Sequence, residues 1–183
     1  MRIKQLGHPI LRRSSRALKQ NEIASEMVQS TLQLMKDILN GIKAISDENG
    51  NAISAPQVGQ PIRAIMLRLD GEFVPMINPE FSNLSNEMFE FEEECFSLYN
   101  VRGIVMRHKS VEVRFFDEHA QQHVRVLEDE YAGLVQHEVD HLDGVFFLDK
   151  IEDHQRLQSI DYILNDNPER LKVVKEMMAY MAG

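Results

Sequence analysis

The sequence predicts an α+β fold: antiparallel or mixed β-sheets packed around one central helix, with a helix near the N-terminus and helices at the C-terminus. Three observations support this prediction. Residues 22–44 have helical periodicity, residues 62–128 contain short strand-like runs, and helical periodicity returns from residue 129. Strands that follow one another, rather than alternating with helices, favour an α+β fold over a parallel sheet. The 183 residues are expected to form one domain, with residues 152–183 as a helical extension.

The first predicted element is an amphipathic helix over residues 22–44. Its apolar residues recur every three or four positions, which is the spacing of one helix face. They are Ile23, Met27, Val28, Leu32, Met35, Ile38, Leu39 and Ile42. Turn-forming residues follow at 47–51, so the helix should end before them.

Five short runs rich in Ile, Val and Phe are predicted strands, because Gly, Pro, Asn and Asp separate them. The runs are Arg63–Leu69, Phe73–Asn78, Gly103–Arg107, Ser110–Phe116 and His123–Leu127. Helices are predicted over residues 129–142 and 153–164. A last helix should begin after Asn167, a favourable N-cap that precedes Pro168, and should run to about Met181.

The composition is ordinary for a globular protein, with 43% hydrophobic and 27% charged residues. A formal net charge of −9 argues against a general nucleic-acid-binding surface, and we expect no specific nucleic-acid partner. No run approaches the ~20 apolar residues that cross a bilayer, and the N-terminus lacks a signal-peptide core. We therefore expect a cytoplasmic protein without a membrane partner. The single cysteine excludes an intramolecular disulfide.

The His-Glu-x-x-His motif at residues 137–141 is the most informative feature of the chain. On a helix, His137 and His141 share one face, so both imidazoles can bind one metal ion while Glu138 reaches a water on that ion. The alternative is a solvated helix face that carries these residues by chance. A catalytic ion needs a third protein ligand, and Cys95 is the candidate, although a lone cysteine is often only a buried packing residue. Four other histidines are predicted to lie on the surface: His108, His119, His123 and His154.

Three ordered sequence blocks resemble those of the peptide deformylases. That family has the pattern G-x-G-φ-A-A-x-Q, then E-G-C-x-S, then Q-H-E-x-D-H-L. This chain has GNAISAPQ at residues 50–57, EECFS at 93–97 and QHEVDHL at 136–142. The order and spacing of the blocks also agree, and the resemblance covers roughly residues 1–150. Three ordered blocks are much more specific than one short motif.

The resemblance implies that Cys95, His137 and His141 bind one divalent metal ion, characteristically Fe²⁺, which Zn²⁺ or Ni²⁺ often replaces. Water would take the fourth position, as in open catalytic sites. Glu138 would accept the proton of that water and pass it to the leaving amine. The implied reaction removes the N-formyl group from the N-terminal methionine of newly made polypeptides and releases formate.

Further roles follow from the resemblance. The side-chain amide of Gln57 and the backbone N–H of Phe96 would stabilise the oxyanion of the tetrahedral intermediate. An ion pair between Asp140 and Arg107 would hold the ligand helix against a strand. Without the resemblance, Gln57 would be interpreted as a polar residue at a loop tip, and Asp140 could equally be a solvated surface acid.

The predicted substrate-binding residues are Gly50, Asn51, Ala52, Glu94, Glu130, Gly133 and Leu134. Several depart from the family pattern. Glu94 replaces a glycine beside the ligand cysteine, where a side chain can restrict backbone angles and the approach of substrate. Asn51, Glu130 and Gly133 stand where apolar residues are expected around the methionine pocket. A more polar or emptier pocket would weaken methionine binding by about 1–3 kcal/mol, so we expect an unusual side-chain preference.

Three functions are compatible with these residues. The first is deformylation of formyl-methionyl nascent peptides, with the ribosome as a further partner. The second is a metal amidase for another N-acyl peptide, which Asn51, Glu130 and Gly133 favour. The third is a non-catalytic, deformylase-like binding protein, which Glu94 favours and the intact ligand set opposes.

Overall fold

A computed structural model describes residues 2–183 of the chain. The helices are α1 (Glu26–Ile45), α2 (Asp129–Leu142), α3 (Ile160–Ile163) and α4 (Pro168–Ala182). The strands are β1 (Ala52–Ser54), β2 (Ala64–Leu69), β3 (Glu72–Leu84), β4 (Met88–Cys95), β5 (Leu98–His108), β6 (Ser110–Phe116), β7 (Gln122–Glu128) and β8 (Gln158–Ser159). Short 3-10 helices connect several of these elements.

The strands form two sheets, and every strand pair within them is antiparallel. One sheet has five strands in the order β1-β2-β3-β6-β7, and the other has three in the order β4-β5-β8. Strands β4 and β5 form a hairpin whose turn is residues 96–97, directly after Cys95. Strand β8 pairs with β5 through Val101 and Arg102. The second sheet therefore positions the cysteine at the tip of its hairpin.

Helix α2 contacts strands of both sheets. Its apolar residues pack in one cluster with side chains of β2, β3 and β6; they are Ala132, Val135, Val139 and Leu142. Its polar residues are also buried, among them Gln136, His137, Glu138 and His141. Because buried polar groups are costly unless they are paired, this face must find its partners inside the protein.

Helices α1 and α4 pack against each other in the largest apolar cluster. Helix α4 contributes Val174, Met177 and Met181 to it. The backbone N–H groups of Arg2 and Ile3 donate to the carbonyl of Met181 at 3.1 and 3.2 Å, so the two ends of the chain meet. Among residues 2–183, no helix combines the length and the apolar character that crossing a membrane requires.

The predicted α+β class is confirmed, as are the bounds of α2 and β6. The sequence does not predict β1 or β4, and it makes β3 and β5 too short. The helix predicted over residues 153–164 is wrong for most of its length. The chain there forms a 3-10 turn at His154–Arg156, then β8, and only the four-residue helix α3. The reason is tertiary: Gln158 and Ser159 pair with the exposed edge of β5 instead of continuing a helix.

Candidate metal centre

The side chains of Cys95, His137 and His141 converge in the interior. One ligand atom from each lies within 4.8 Å of the others. The Cys95 Sγ is 3.1 Å from the Nε2 of His141, and the two Nε2 atoms are 3.2 Å apart. All three residues are buried. The histidines lie one helical turn apart on α2, and the cysteine ends β4, so the two elements meet at these three atoms.

This donor set fits a divalent transition metal. Three protein ligands, here two imidazole nitrogens and a thiolate, are the number found in zinc sites that keep a fourth position open for catalysis. Two nitrogens bound to one ion at ~2.1 Å with a tetrahedral angle would lie ~3.4 Å apart, close to the observed 3.2 Å. Burial lowers the pKa of His141 well below its ordinary value. Its ring is therefore neutral at neutral pH and has a lone pair to offer.

A buried chain of ionic contacts orients the first histidine. The Nδ1 of His137 is 2.5 Å from Glu93 Oε2, and the guanidinium of Arg107 donates to both Glu93 oxygens at 2.6 and 3.1 Å. Arg107 also donates to Asp140 at 2.6 Å, the pair that the resemblance implies. Burial acts to raise the pKa of Glu93, but His137 and Arg107 outweigh it and lower that pKa. Glu93 thus engages Nδ1 and leaves Nε2 of His137 facing the other two ligands.

Glu138 lies beside the triad with one free oxygen. The side chain is buried, and no donor among residues 2–183 reaches its Oε2. Burial raises the pKa of this carboxyl to about 7. A carboxyl of that pKa can both accept and release a proton near neutral pH.

Gln57 is buried, and serines hold both ends of its amide. Its Oε1 accepts from the backbone N–H of Ser54 at 2.9 Å and from the Ser54 hydroxyl at 3.0 Å. Its Nε2 donates to Ser97 Oγ at 3.2 Å and faces Cys95 Sγ at 3.7 Å. The amide N–H₂ is thereby directed toward the ligand cysteine. Phe96 begins the hairpin turn beside it, and its carbonyl accepts from Gln5 at 3.0 Å.

A cavity of about 140 Å³ adjoins the triad, and Glu138 and Gln57 line it. Five of the predicted substrate-binding residues also line it: Gly50, Asn51, Ala52, Glu94 and Leu134. Glu130 and Gly133 do not. Glu130 is exposed at the rim of two neighbouring grooves, and Gly133 is buried within α2.

The space beside Gly133 is filled rather than empty. A Cβ on Gly133 would lie 2.7 Å from the ring of Phe91, which itself lines the cavity. The apolar wall expected from α2 is therefore supplied by β4. The expectation of an emptier pocket at Gly133 is corrected by this contact.

Glu94 and Asn51 each form a side-chain hydrogen bond with a neighbouring residue. Glu94 accepts from the Nε of Arg102 at 2.5 Å. Among non-glycine residues of the part described, only Asp70, Asn78, Ala120 and Asp129 have positive φ. The replacement of glycine by Glu94 thus strains no backbone. The amide of Asn51 donates to the carbonyl of Glu48 at 3.0 Å. Gly50, by contrast, needs its glycine, because φ is +83° and a Cβ would lie 2.6 Å from the Leu39 carbonyl.

Sequence reasoning missed Glu93 and Phe91. Both precede Cys95 at two-residue intervals in β4, so all three side chains point to one face of the strand. That alternation is the signal that could have found them. Of the predicted surface histidines, His119, His123 and His154 are exposed, whereas His108 is half-buried with its Nδ1 2.7 Å from the Ser85 carbonyl.

Comparisons with known proteins agree with this geometry. A family model described as polypeptide deformylase matches residues 1–157. Peptide deformylase 2 of Nostoc sp. is 34% identical over 158 residues, which cover 81% of this chain and 84% of the relative. The peptide deformylase of Pseudothermotoga lettingae is 35% identical over 155 residues, which cover 85% of each chain.

Solved structures are similar as well. A Synechococcus elongatus peptide deformylase in complex with actinonin superposes with a TM-score of 0.74 at 25% identity, covering 93% of this chain and 87% of that one. A Met-Ala-Ser-bound class I type b peptide deformylase from Acinetobacter baumannii superposes with a TM-score of 0.73 at 30% identity, covering 81% of this chain and 96% of that one.

Proposed function

The chain belongs to the peptide deformylase family and is a metal-dependent hydrolase, and on that premise we propose how its own residues remove the formyl group from formyl-methionyl polypeptides. One observation carries the proposal: the ligand atoms of Cys95, His137 and His141 converge, and Glu138, with its free oxygen, lines the cavity beside them. Met-Ala-Ser, bound in the Acinetobacter baumannii structure, begins with methionine and belongs to the class of product that this reaction leaves. Because ribosomes make formyl-methionyl chains, we propose that the protein acts in the cytoplasm as those chains emerge.

Cys95, His137 and His141 would hold the metal ion, which we propose to be Fe²⁺, with Zn²⁺ or Ni²⁺ as replacements. When bound, such an ion lowers the pKa of a coordinated water and polarises the formyl carbonyl. A mixed nitrogen and sulfur donor set accepts each of these ions. The chain from Asp140 through Arg107 to Glu93 would keep the His137 ring in its binding orientation.

Glu138 is proposed as the general base and acid. Its free Oε2 accepts the proton of the attacking water and then delivers it to the amine nitrogen of the leaving peptide. The carboxyl can do both because burial raises its pKa to about 7. Attack on the formyl carbon and loss of the C–N bond then give formate and a free N-terminal amine.

Gln57 and the backbone N–H of Phe96 are proposed to donate to the oxyanion. Ser54 and Ser97 hold the Gln57 amide from both ends, so its donor is aligned before the substrate arrives. A preorganised donor of this kind typically contributes ~3 kcal/mol to the transition state.

The two alternative functions draw less support from the site. The N-acyl amidase depends on Asn51, Glu130 and Gly133, yet Asn51 is bonded to a loop carbonyl and the other two lie off the cavity wall. The binding-only alternative depends on Glu94, which is paired with Arg102. Comparing the hydrolysis rates of formyl-Met-Ala-Ser and acetyl-Met-Ala-Ser distinguishes a deformylase from a general amidase, since equal rates would favour the amidase.

The test is anaerobic loading with Fe²⁺, followed by metal analysis and formate release from formyl-Met-Ala-Ser. We expect His141→Ala to lose both metal and activity. Glu138→Gln should keep the metal but lose activity by about 10²-fold or more. His154→Ala is the matched control, because His154 is exposed. Wild-type turnover by Glu138→Gln, or no bound metal in the wild type, would contradict the proposal.

A further inference from the structure

Residues 2–6, the N-terminal segment, connect the C-terminal helix with the site. The N–H groups of the first two residues of the segment donate to the carbonyl of Met181 at 3.1 and 3.2 Å. Ile3 is fully buried in the apolar cluster that contains α1 and α4. Further along, the N–H of Lys4 donates to the carbonyl of Gln57 at 2.7 Å. The segment is therefore anchored to the C-terminal helix before it passes the site.

The same segment holds both carbonyls of the two-residue turn between β4 and β5. The amide Nε2 of Gln5 donates to the carbonyl of Phe96 at 3.0 Å, and the backbone N–H of Leu6 donates to the carbonyl of Ser97 at 2.8 Å. The Gln5 amide is also 3.3 Å from the carbonyl of Ile3, so the segment itself helps to orient that side chain. The turn that follows the ligand cysteine is thus bonded from outside its own hairpin.

This turn needs contacts of that kind. Two-residue hairpin turns prefer backbone types in which one or both residues have positive φ. Neither Phe96 nor Ser97 has a positive φ. The shape of the turn is therefore not set by the usual hairpin geometry, and the bonds from Gln5 and Leu6 help to define it. Because Phe96 carries the N–H that is proposed to meet the oxyanion, fixing its carbonyl also restricts the direction of that N–H.

We propose that Gln5 is a positioning residue for deformylation, which holds the Phe96–Ser97 turn so that the Phe96 N–H is directed at the oxyanion. The inference rests on the proposed function and adds to it a residue outside the metal site. Gln5 does not line the cavity, so it acts through Phe96 and not on the substrate. The oxyanion exists only in the transition state and the intermediate. A misdirected donor should therefore lower kcat and leave KM nearly unchanged.

The variant Gln5→Glu tests this role on the Fe²⁺-loaded full chain. Glutamate has the shape of glutamine, but its carboxylate can only accept and would repel the Phe96 carbonyl. With formyl-Met-Ala-Ser, kcat should fall about 5- to 50-fold, which is less than the 10²- to 10³-fold typical when an oxyanion donor is removed outright. KM should stay within about twofold of the wild-type value, and the metal content should not change.

Gln29→Glu is the matched control. Gln29 is half-buried, as Gln5 is, and its amide also donates to two backbone carbonyls, those of Ile23 at 2.9 Å and Glu118 at 3.0 Å. None of these three residues lines the cavity. The control therefore makes the same change of charge and loses the same kind of bonds, but its kcat should stay within about twofold of the wild-type value.

A Gln5→Glu variant that loses no more kcat than Gln29→Glu would overturn the inference and leave the proposed function intact. A higher KM at unchanged kcat would also overturn it, because Gln5 would then affect substrate binding rather than the transition state. If Gln5→Glu does not fold, Gln5→Ala replaces it. That variant removes the donor without adding a charge, so kcat should fall about 3- to 10-fold by the same comparison.

If the wild type releases no formate, the proposed function fails, and a measurement without substrate decides the inference. The backbone amide NMR signals of Phe96 and Ser97 report the geometry of the turn in the Zn²⁺-loaded protein. Both signals should shift in Gln5→Glu and stay at their wild-type positions in Gln29→Glu. Unchanged signals in Gln5→Glu would overturn the inference.

Discussion

Replacing Glu93 with alanine should damage both the stability of the fold and the metal site. Glu93 is the central member of the buried chain, because it contacts Arg107 on one side and His137 on the other. The Glu93→Ala variant removes both contacts at once. Arg107 is then left in the interior with Asp140 as its one remaining carboxylate partner.

The expected loss of stability follows from the burial of the pair. The side chains of Glu93 and Arg107 are 1% and 2% exposed. Removing one partner of a buried ion pair typically costs 3–5 kcal/mol, because the other charge stays behind. Since Asp140 still accepts from Arg107, we expect the low end, about 3 kcal/mol. Metal affinity should fall by about 10- to 100-fold, because the His137 ring loses the group that orients it.

Urea unfolding of the metal-free protein measures the first effect, and competition with a chelator measures the second. Glu92→Ala is the matched control, since Glu92 is the preceding residue of β4, is 57% exposed and contacts Arg102 at 3.0 Å. An exposed pair of this kind is worth about 0–1 kcal/mol. If Glu93→Ala is no less stable than Glu92→Ala, or binds metal as the wild type does, the proposed role of the buried chain is wrong.

Three further predictions concern packing and pH. Gly133→Ala should lower the free energy of unfolding by about 1–3 kcal/mol, because the added Cβ would lie 2.7 Å from the ring of Phe91. Adding Phe91→Leu should recover most of that loss. If urea unfolding shows no recovery, the proposed clash is wrong. Met177→Ala should cost about 2–5 kcal/mol, because Met177 is fully buried between α4 and α1; a smaller loss in the same assay would show that the α4 contact is weak. The hydrogen bond from Arg12 lowers the pKa of Asp149, so this pair stabilises the fold above the unfolded pKa of ~3.9 and ceases to do so as pH falls through the folded pKa. The Asp149→Asn variant should therefore lose less stability than the wild type when the pH falls from about 6 to about 3. The difference should be under about 1 kcal/mol, because the side chain of Asp149 is 40% exposed. Identical acid-unfolding curves for the two proteins would refute this.

The sequence predicts α2 and β6 well because their residue periodicity matches their burial. It fails at β4 because Glu90, Glu92, Glu93 and Glu94 obscure the alternation of that strand. Acidic residues are rarely buried, so Glu93 is expected outside by default. Its burial becomes understandable only when Arg107 and His137, which are distant in sequence, are placed around it.

The prediction for the residues after 152 fails for a different reason. Helical periodicity there is local, whereas the pairing of β8 with β5 joins residues more than fifty positions apart. The secondary structure of a short segment depends on the element with which it pairs. The residue periodicity of the segment carries no information about that element. The two histidine ligands are predictable because two imidazoles at helical spacing can bind one ion, and that spacing is visible within five residues. Cys95 is predictable only as the single cysteine of the chain and through the family resemblance.

The cavity wall shows why substrate preference is harder to infer than ligands. Gly133 alone suggests lost apolar volume, but Phe91 from β4 occupies the same space, so the wall stays filled although its source has changed. The quantity that the pocket must preserve is filled apolar volume, and either of two facing elements can supply it. Glu130, predicted as a wall residue from its position in the sequence, is instead exposed and lines two neighbouring grooves. The change at Gly133 therefore leaves the apolar wall of the cavity filled, and Glu130 lies outside that wall.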